Sequence, residues 1–268
     1  MGCGIAQVTA QSKIKTILFD VSADIIEKSK TTLTKNLQYL VNKGRISESE
    51  KTSALDLIFF TTNINDCQAN VIIEAIIENK VAKINLFKQL QDLNDERTIF
   101  LTNTSSLSIS DIAAELKNPE KFAGMHFFNP APLMKLVEVV KGEVTSDEVA
   151  DQIGELCTQL GKTPVICKDV PGFIVNRVAR QYYLEAMKLA ELGVTDFETI
   201  DKIMEASGFK MGPFKLMDLI GMDINYSVSN IVWEALGKPG RLTPSALQKQ
   251  KVDVGELGKK TGHGFYKY

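Results

Sequence analysis

The chain has 268 residues, of which 44% are hydrophobic and 24% charged, and a formal net charge of −2. That length suits one large domain or two of ordinary size, and that composition a soluble globular protein. The near-neutral charge gives no basic field for nucleic acid or an anionic membrane, and no apolar run reaches the ~18–20 residues of a membrane span. Cys3, Cys67, Cys157 and Cys167 are scattered without a C-x-x-C pair. No zinc or other metal site is expected from them, and free thiols point to a reducing cytoplasm.

The opening, MGCGIAQVTAQ followed by KTILFD, reads as a helix, a strand and an acid at the strand's end. Asp20 fits the carboxylate that hydrogen-bonds an adenosine ribose in dinucleotide-binding folds, and equally an ordinary turn residue. Gly2-Cys3-Gly4 looks like the start of a G-x-G-x-x-G fingerprint, but Gln7 stands where its third glycine belongs. No strand precedes Gly2 either. The better reading makes Gly2 the last fingerprint glycine, with the first strand and two glycines missing. The expectation is that the natural protein starts upstream, or that this chain folds and binds a dinucleotide poorly.

Short β-rich runs then alternate with helical patterns. Strands are expected at 16–19, 58–62, 71–76, 98–102, 122–128, 136–140 and 163–167. Between the first two, Ile25, Ile26, Ser29, Leu33, Leu37, Leu40 and Val41 share one helical face, with Ser22 as a cap and Gly44 as a stop. Further helices are expected over 79–93 and 147–160. This alternation implies an α/β fold, a doubly wound, mostly parallel sheet of Rossmann type lacking its first strand.

The pattern changes at Lys168-Asp169-Val170-Pro171-Gly172, where Pro171 could also open a helix. Beyond it the chain reads as almost wholly helical. The expected division is a nucleotide-binding domain over 1–168 and an all-α domain over 169–268. The helical faces are apolar enough to favour a homo-oligomer.

One of only two histidines, His126, ends the apolar run FAGMHFF, and Glu138 lies inside a second apolar run, LVEVV. An ionised carboxylate there is costly unless something pairs with it. A histidine meeting a buried glutamate can move a proton near pH 7. The plainer alternatives are a hydrogen-bonded core histidine and a solvent-facing glutamate.

With these motifs in hand, the chain resembles the 3-hydroxyacyl-CoA dehydrogenases, especially the bacterial 3-hydroxybutyryl-CoA dehydrogenases. The strings GIAQ, LFDVS, EAIIENKVAK, NTSSLSIS, FAGMHFFNPAPLMKLVEVV, KDVPGFIVNR, MGPFKLMDLIGMD and GKKTGHGFYKY carry the resemblance along essentially the whole chain. It implies NAD-dependent oxidation of an (S)-3-hydroxyacyl-CoA to the 3-oxoacyl-CoA, or the reverse. It makes His126 the base and Glu138 its partner, and assigns Ser105 and Asn176 to the reacting oxygen. For NAD it implies Asp20, Glu78, Lys83, Ser105, Asn129 and Lys260, together with Gly2 as the surviving fingerprint glycine. For coenzyme A it implies Asn36, Lys43 and Ser105. It also implies a homodimer formed through the helical domain. Two rival expectations are a non-catalytic remnant that binds a CoA ester or serves only a structural role, and a dehydrogenase of another 3-hydroxy acid.

Overall fold

The computed structural model describes residues 1–268, which divide into two compact units, Met1–Asp169 and Val170–Tyr268. The first unit opens with α1 (Gly2–Gln11), β1 (Thr16–Phe19), α2 (Ala23–Asn42), α3 (Glu48–Asp56) and β2 (Ile58–Thr61). It continues with β3 (Val71–Glu74), α4 (Lys80–Leu93), β4 (Ile99–Thr102), α5 (Ile109–Ala113) and β5 (Phe122–Phe127). It ends with β6 (Leu136–Lys141), α6 (Asp147–Gln159) and β7 (Thr163–Lys168).

The strands form two sheets: a parallel ribbon of β1 and β2, and a five-stranded sheet in the order β3-β4-β5-β6-β7. All neighbours in the second sheet run parallel except β5 and β6. β4 and β5 are buried at every position, as strands covered on both faces should be. β1 has no buried position and β3 has one.

Helix α1 touches both cores. Ile5 and Val8 pack with Leu101, Met125 and Val137 over the five-stranded sheet. Ala10 packs with Leu33, Leu37 and Ile58 beside the ribbon.

Three local expectations change. β3 stops at Glu74, where the Ile76 N–H turns back to the Glu74 side chain instead of pairing with β4. α3, which hydrophobic periodicity does not announce, buries only Ala54 but starts in a capping box in which Ser47 and Glu50 satisfy each other's backbone N–H. Pro171 opens no helix. The chain turns through Gly172 (φ 77°) and Phe173 (φ 47°) before a helix starts at Val175. A side chain on Gly172 would also lie 2.8 Å from Val232.

The second unit is built from α7 (Val175–Glu191), α8 (Phe197–Ala206), α9 (Pro213–Ile220), α10 (Met222–Ala235) and α11 (Ala246–Asp253). Its core joins Tyr183, Met187, Phe214, Met217, Met222 and Val232. Two buried aspartates fasten its C-terminal tail. Asp201 accepts from the Tyr266 hydroxyl and from the Phe214 and Lys215 N–H groups at the start of α9. Asp218 accepts the Phe265 and Tyr266 N–H groups, each at 2.9 Å. Asp218→Ala leaves those two N–H groups unpaired and should cost about 3 kcal/mol. The urea midpoint should fall accordingly, and the tail should become the first site of proteolysis.

Candidate active site

β5 and β6 meet in antiparallel register with His126 directly opposite Glu138, so both side chains leave the same face. The imidazole Nδ1 lies 2.7 Å from the Glu138 Oε2. His126 is 6% exposed and Glu138 1%. A carboxylate this deep needs a donor, and the ring supplies one. An Nδ1–H donated to Glu138 leaves Nε2 with its lone pair, the tautomer of a proton acceptor. Phe128 lies against the imidazole, ring centroids 4.6 Å apart. Close packing supports the ladder behind the pair: a Cβ on Gly124 would sit 2.9 Å from that of Val140 and 3.0 Å from the Ile109 Cδ1.

A second group lies at the carboxyl ends of β3 and β4. Lys83 is 1% exposed, and its Nζ lies 2.6 and 2.9 Å from the two oxygens of buried Glu74 and 3.3 Å from the Glu78 Oε2. The other Glu78 oxygen accepts from the Thr104 hydroxyl, the Ser105 N–H at 2.9 Å and the Ser106 hydroxyl at 3.2 Å. Burial pushes the Glu78 carboxyl up, but the Thr104 hydroxyl, the Lys83 ammonium and the Ser105 N–H outweigh it and leave it below the usual glutamate range. Its hold on the 104–106 loop is therefore present at neutral pH and lost as pH falls through that lowered value. Asn103 ties this loop to the histidine strand, its side-chain oxygen accepting the Phe127 N–H at 2.9 Å.

Asp20 directly follows β1, and one of its oxygens accepts the Ser22 N–H at 2.9 Å. Asn36 is an exposed residue of α2 whose amide reaches Gln7 of α1 at 3.2 Å. Lys43, at the end of α2, lies over the Tyr39 ring. Asn129 is exposed beside the cis Pro130, on a loop clasped by buried Lys162 through the Ala131 and Met134 carbonyls. Gly2 opens α1, where an added Cβ would make only ordinary contacts with Ala75 and Leu18. The crowded position is Gly4, 3.3 Å from Pro132 and 3.4 Å from Ala131. Asn176 and Lys260 belong to the helical unit, Asn176 in the first turn of α7 and Lys260 ion-paired with Asp223 at 2.5 Å. No group of three or more His, Cys, Asp or Glu could hold a metal ion.

Glu74, Asn103 and Lys162 were not singled out from sequence. Glu74 and Lys162 did carry a signal, since a charged residue in or beside an apolar run demands a buried partner. Asn103 carried none.

Residues 1–170 match the sequence family described as "3-hydroxyacyl-CoA dehydrogenase, NAD binding domain", and residues 172–268 match its C-terminal domain. A 3-hydroxyadipyl-CoA dehydrogenase of Escherichia coli is 44% identical over 99% of this chain, which spans only 56% of that relative's length. A probable 3-hydroxybutyryl-CoA dehydrogenase of Deinococcus radiodurans is 40% identical, covering all of this chain and 96% of its own. The crystal structure of (S)-3-hydroxybutyryl-CoA dehydrogenase from Ralstonia eutropha superimposes with a TM-score of 0.95 at 36% identity, over the whole chain and 95% of its own. The fold, the matches along both units and the near-complete coverage of such relatives agree: the chain belongs to the 3-hydroxyacyl-CoA dehydrogenase family, with NAD as its cofactor.

Proposed function

We propose that this chain interconverts a short-chain (S)-3-hydroxyacyl-CoA, 3-hydroxybutyryl-CoA first of all, and its 3-oxoacyl-CoA with NAD. The observation that carries this reading is the buried His126–Glu138 pair at 2.7 Å. In oxidation, the lone pair on the His126 Nε2 takes the proton of the substrate hydroxyl. Glu138 fixes the imidazole through Nδ1 and stabilises the imidazolium. Ser105 and Asn176 hydrogen-bond the reacting oxygen and favour the oxyanion that develops in the reductive direction.

The donor set at hand suits NAD. Its nicotinamide ring, when bound, supplies the acceptor for the hydride from C3. Asp20 would hydrogen-bond the adenosine ribose and would repel the extra phosphate of NADP. Glu78, Lys83, Ser105, Asn129 and Lys260 would also contact NAD, Asn129 at its nicotinamide, and Gly2 would be the surviving glycine of the phosphate-binding turn. Asn36 and Lys43 hold the coenzyme A. Consumption of NADH with acetoacetyl-CoA tests the assignment: saturable turnover supports it, and turnover only of a 3-oxo acid lacking CoA would replace it with another substrate class.

The nucleotide half is read as lacking a strand. Three features support a slot for one between β1 and β3: the sheet is split there, both edges carry parallel neighbours, and α1 lies across both cores. A Cβ added at Gly2 would lie 3.9 Å from the Ala75 Cβ and 4.0 Å from the Leu18 Cδ1, bridging the two strands' neighbourhoods.

The helical unit is read as the dimerisation surface. Leu219 and Ile220 at the end of α9 and Ile224 on α10 are 53%, 36% and 50% exposed. Exposed apolar side chains of this kind suit a second copy of the chain. Ile224→Glu should weaken a dimer by about 2 kcal/mol or more while leaving the fold intact. Sedimentation velocity checks this, and an unchanged dimer would place the interface elsewhere. No helix is long and apolar enough to cross a membrane. The four free cysteines suit a reducing cytoplasm.

A further inference from the structure

We propose that Glu74 is a positioning residue of the active site, setting Glu78 through Lys83 and, through Glu78, the loop that carries Ser105. This rests on the reading that Ser105 holds the reacting oxygen.

Glu74 is the last residue of β3, and its side chain has no exposed surface. Four hydrogen bonds converge on its two oxygens. One oxygen takes the Lys83 ammonium and the Ile76 N–H, both at 2.6 Å. The other takes Lys83 at 2.9 Å and the Thr102 hydroxyl at 2.7 Å. Only an ionised carboxylate offers four acceptor sites and no donor of its own. The Thr102 oxygen in turn accepts the Thr104 N–H at 3.2 Å, and the Thr104 hydroxyl donates to Glu78. Glu78 closes the ring by pairing with Lys83 and accepting the Ser105 N–H. The circuit runs Glu74, Lys83, Glu78, the 104–106 loop, Thr102 and back to Glu74. It joins the ends of two adjacent strands, where doubly wound folds bind their ligands.

One ammonium shared by two carboxylates has a position set by both. Without the Glu74 charge, Lys83 moves toward Glu78, and the acceptor holding the Ser105 N–H moves with it. In Glu74→Gln an amide NH₂ stands where an oxygen received Lys83 or Thr102, so donor meets donor.

A buried ion pair could serve only to satisfy its own charges. Glu74→Met with Lys83→Met tests whether the pair does more than satisfy its own charges, because an apolar replacement of a buried pair is often neutral for stability. Hydrogen exchange of the 103–108 segment reads loop position without cofactor or turnover. Glu74→Gln, which keeps Lys83, should speed that loop exchange and so reads Glu74 alone. The result expected of the double variant is a melting temperature near that of the parent, with the Ser105 and Leu107 amides exchanging about tenfold faster. In parallel, kcat should fall about 30- to 100-fold with little change in the KM for acetoacetyl-CoA. Parent-like exchange and kcat in that double variant would overturn the proposal. Should it fail to fold, Thr102→Val removes one arm of the circuit without touching charge. About threefold faster exchange at Ser105 supports the proposal there, and unchanged exchange overturns it. Faster exchange in a protein whose parent shows no turnover would fault the assigned reaction and leave Glu74's hold on the loop standing.

Discussion

His126→Gln should lower kcat by about 10³–10⁴-fold while leaving CoA-ester binding nearly intact. Glutamine has a similar reach and can still hydrogen-bond, but it accepts no proton at neutral pH. The ring it replaces is almost fully enclosed and bonded to a carboxylate that is itself buried. The other histidine, His263, lies in the helical unit's tail and pairs with Glu256. Glu138→Gln should be milder, about 10²-fold, because the base stays while its tautomer and its imidazolium lose their partner. Steady-state kinetics together with CoA-ester binding by calorimetry check both variants. Near-parent turnover in His126→Gln would refute the assigned base.

The second large effect concerns the split sheet. An apolar segment of about six residues ending in a Gly-x-Gly turn, fused before Met1, should raise the melting temperature by roughly 10 °C, equivalent to about 3 kcal/mol or more. It gives β1 and β3 the backbone partners that each lacks on one side. It also covers Leu18, Ile72 and other side chains of those strands that remain partly exposed. The turn would add backbone N–H groups at the start of α1, where α1 has no side-chain cap, and NADH affinity should rise about tenfold or more. Thermal unfolding and NADH titration of the two forms check this. Equal stability and affinity would mean that nothing fits between the two sheets.

Much of the fold was legible because strands and helices alternate with clear punctuation. Gly44 and Gly161 both adopt the positive φ that ends a helix, 64° and 68°. The expected face of α2 was less well resolved: Ile26, Leu33 and Leu37 are buried, whereas Ile25 is 47% exposed. α3 escaped notice because it buries one alanine and is held by its cap. At the site, the apolar runs around His126 and Glu138 pointed to burial, but their contact depends on β6 turning antiparallel, a register that sequence spacing leaves open. Glu78 and Lys83 were named as cofactor contacts. Their bond to each other, and the Glu74 beneath them, came only with the folded strand ends. The assignments of Asn36, Lys43, Asn176 and Lys260 rest on the family resemblance; among them Asn36 bonds Gln7, Lys43 lies over Tyr39 and Lys260 pairs with Asp223.

Incubation of the parent chain and its strand-extended form with acetoacetyl-CoA and NADH deuterated at the transferred position, followed by mass spectrometry of the CoA product, tests the proposed chemistry most directly. The account predicts one deuterium at C3 of (S)-3-hydroxybutyryl-CoA, formed faster by the extended chain and lost in His126→Gln. Product without deuterium at C3, or none from either form, would contradict it.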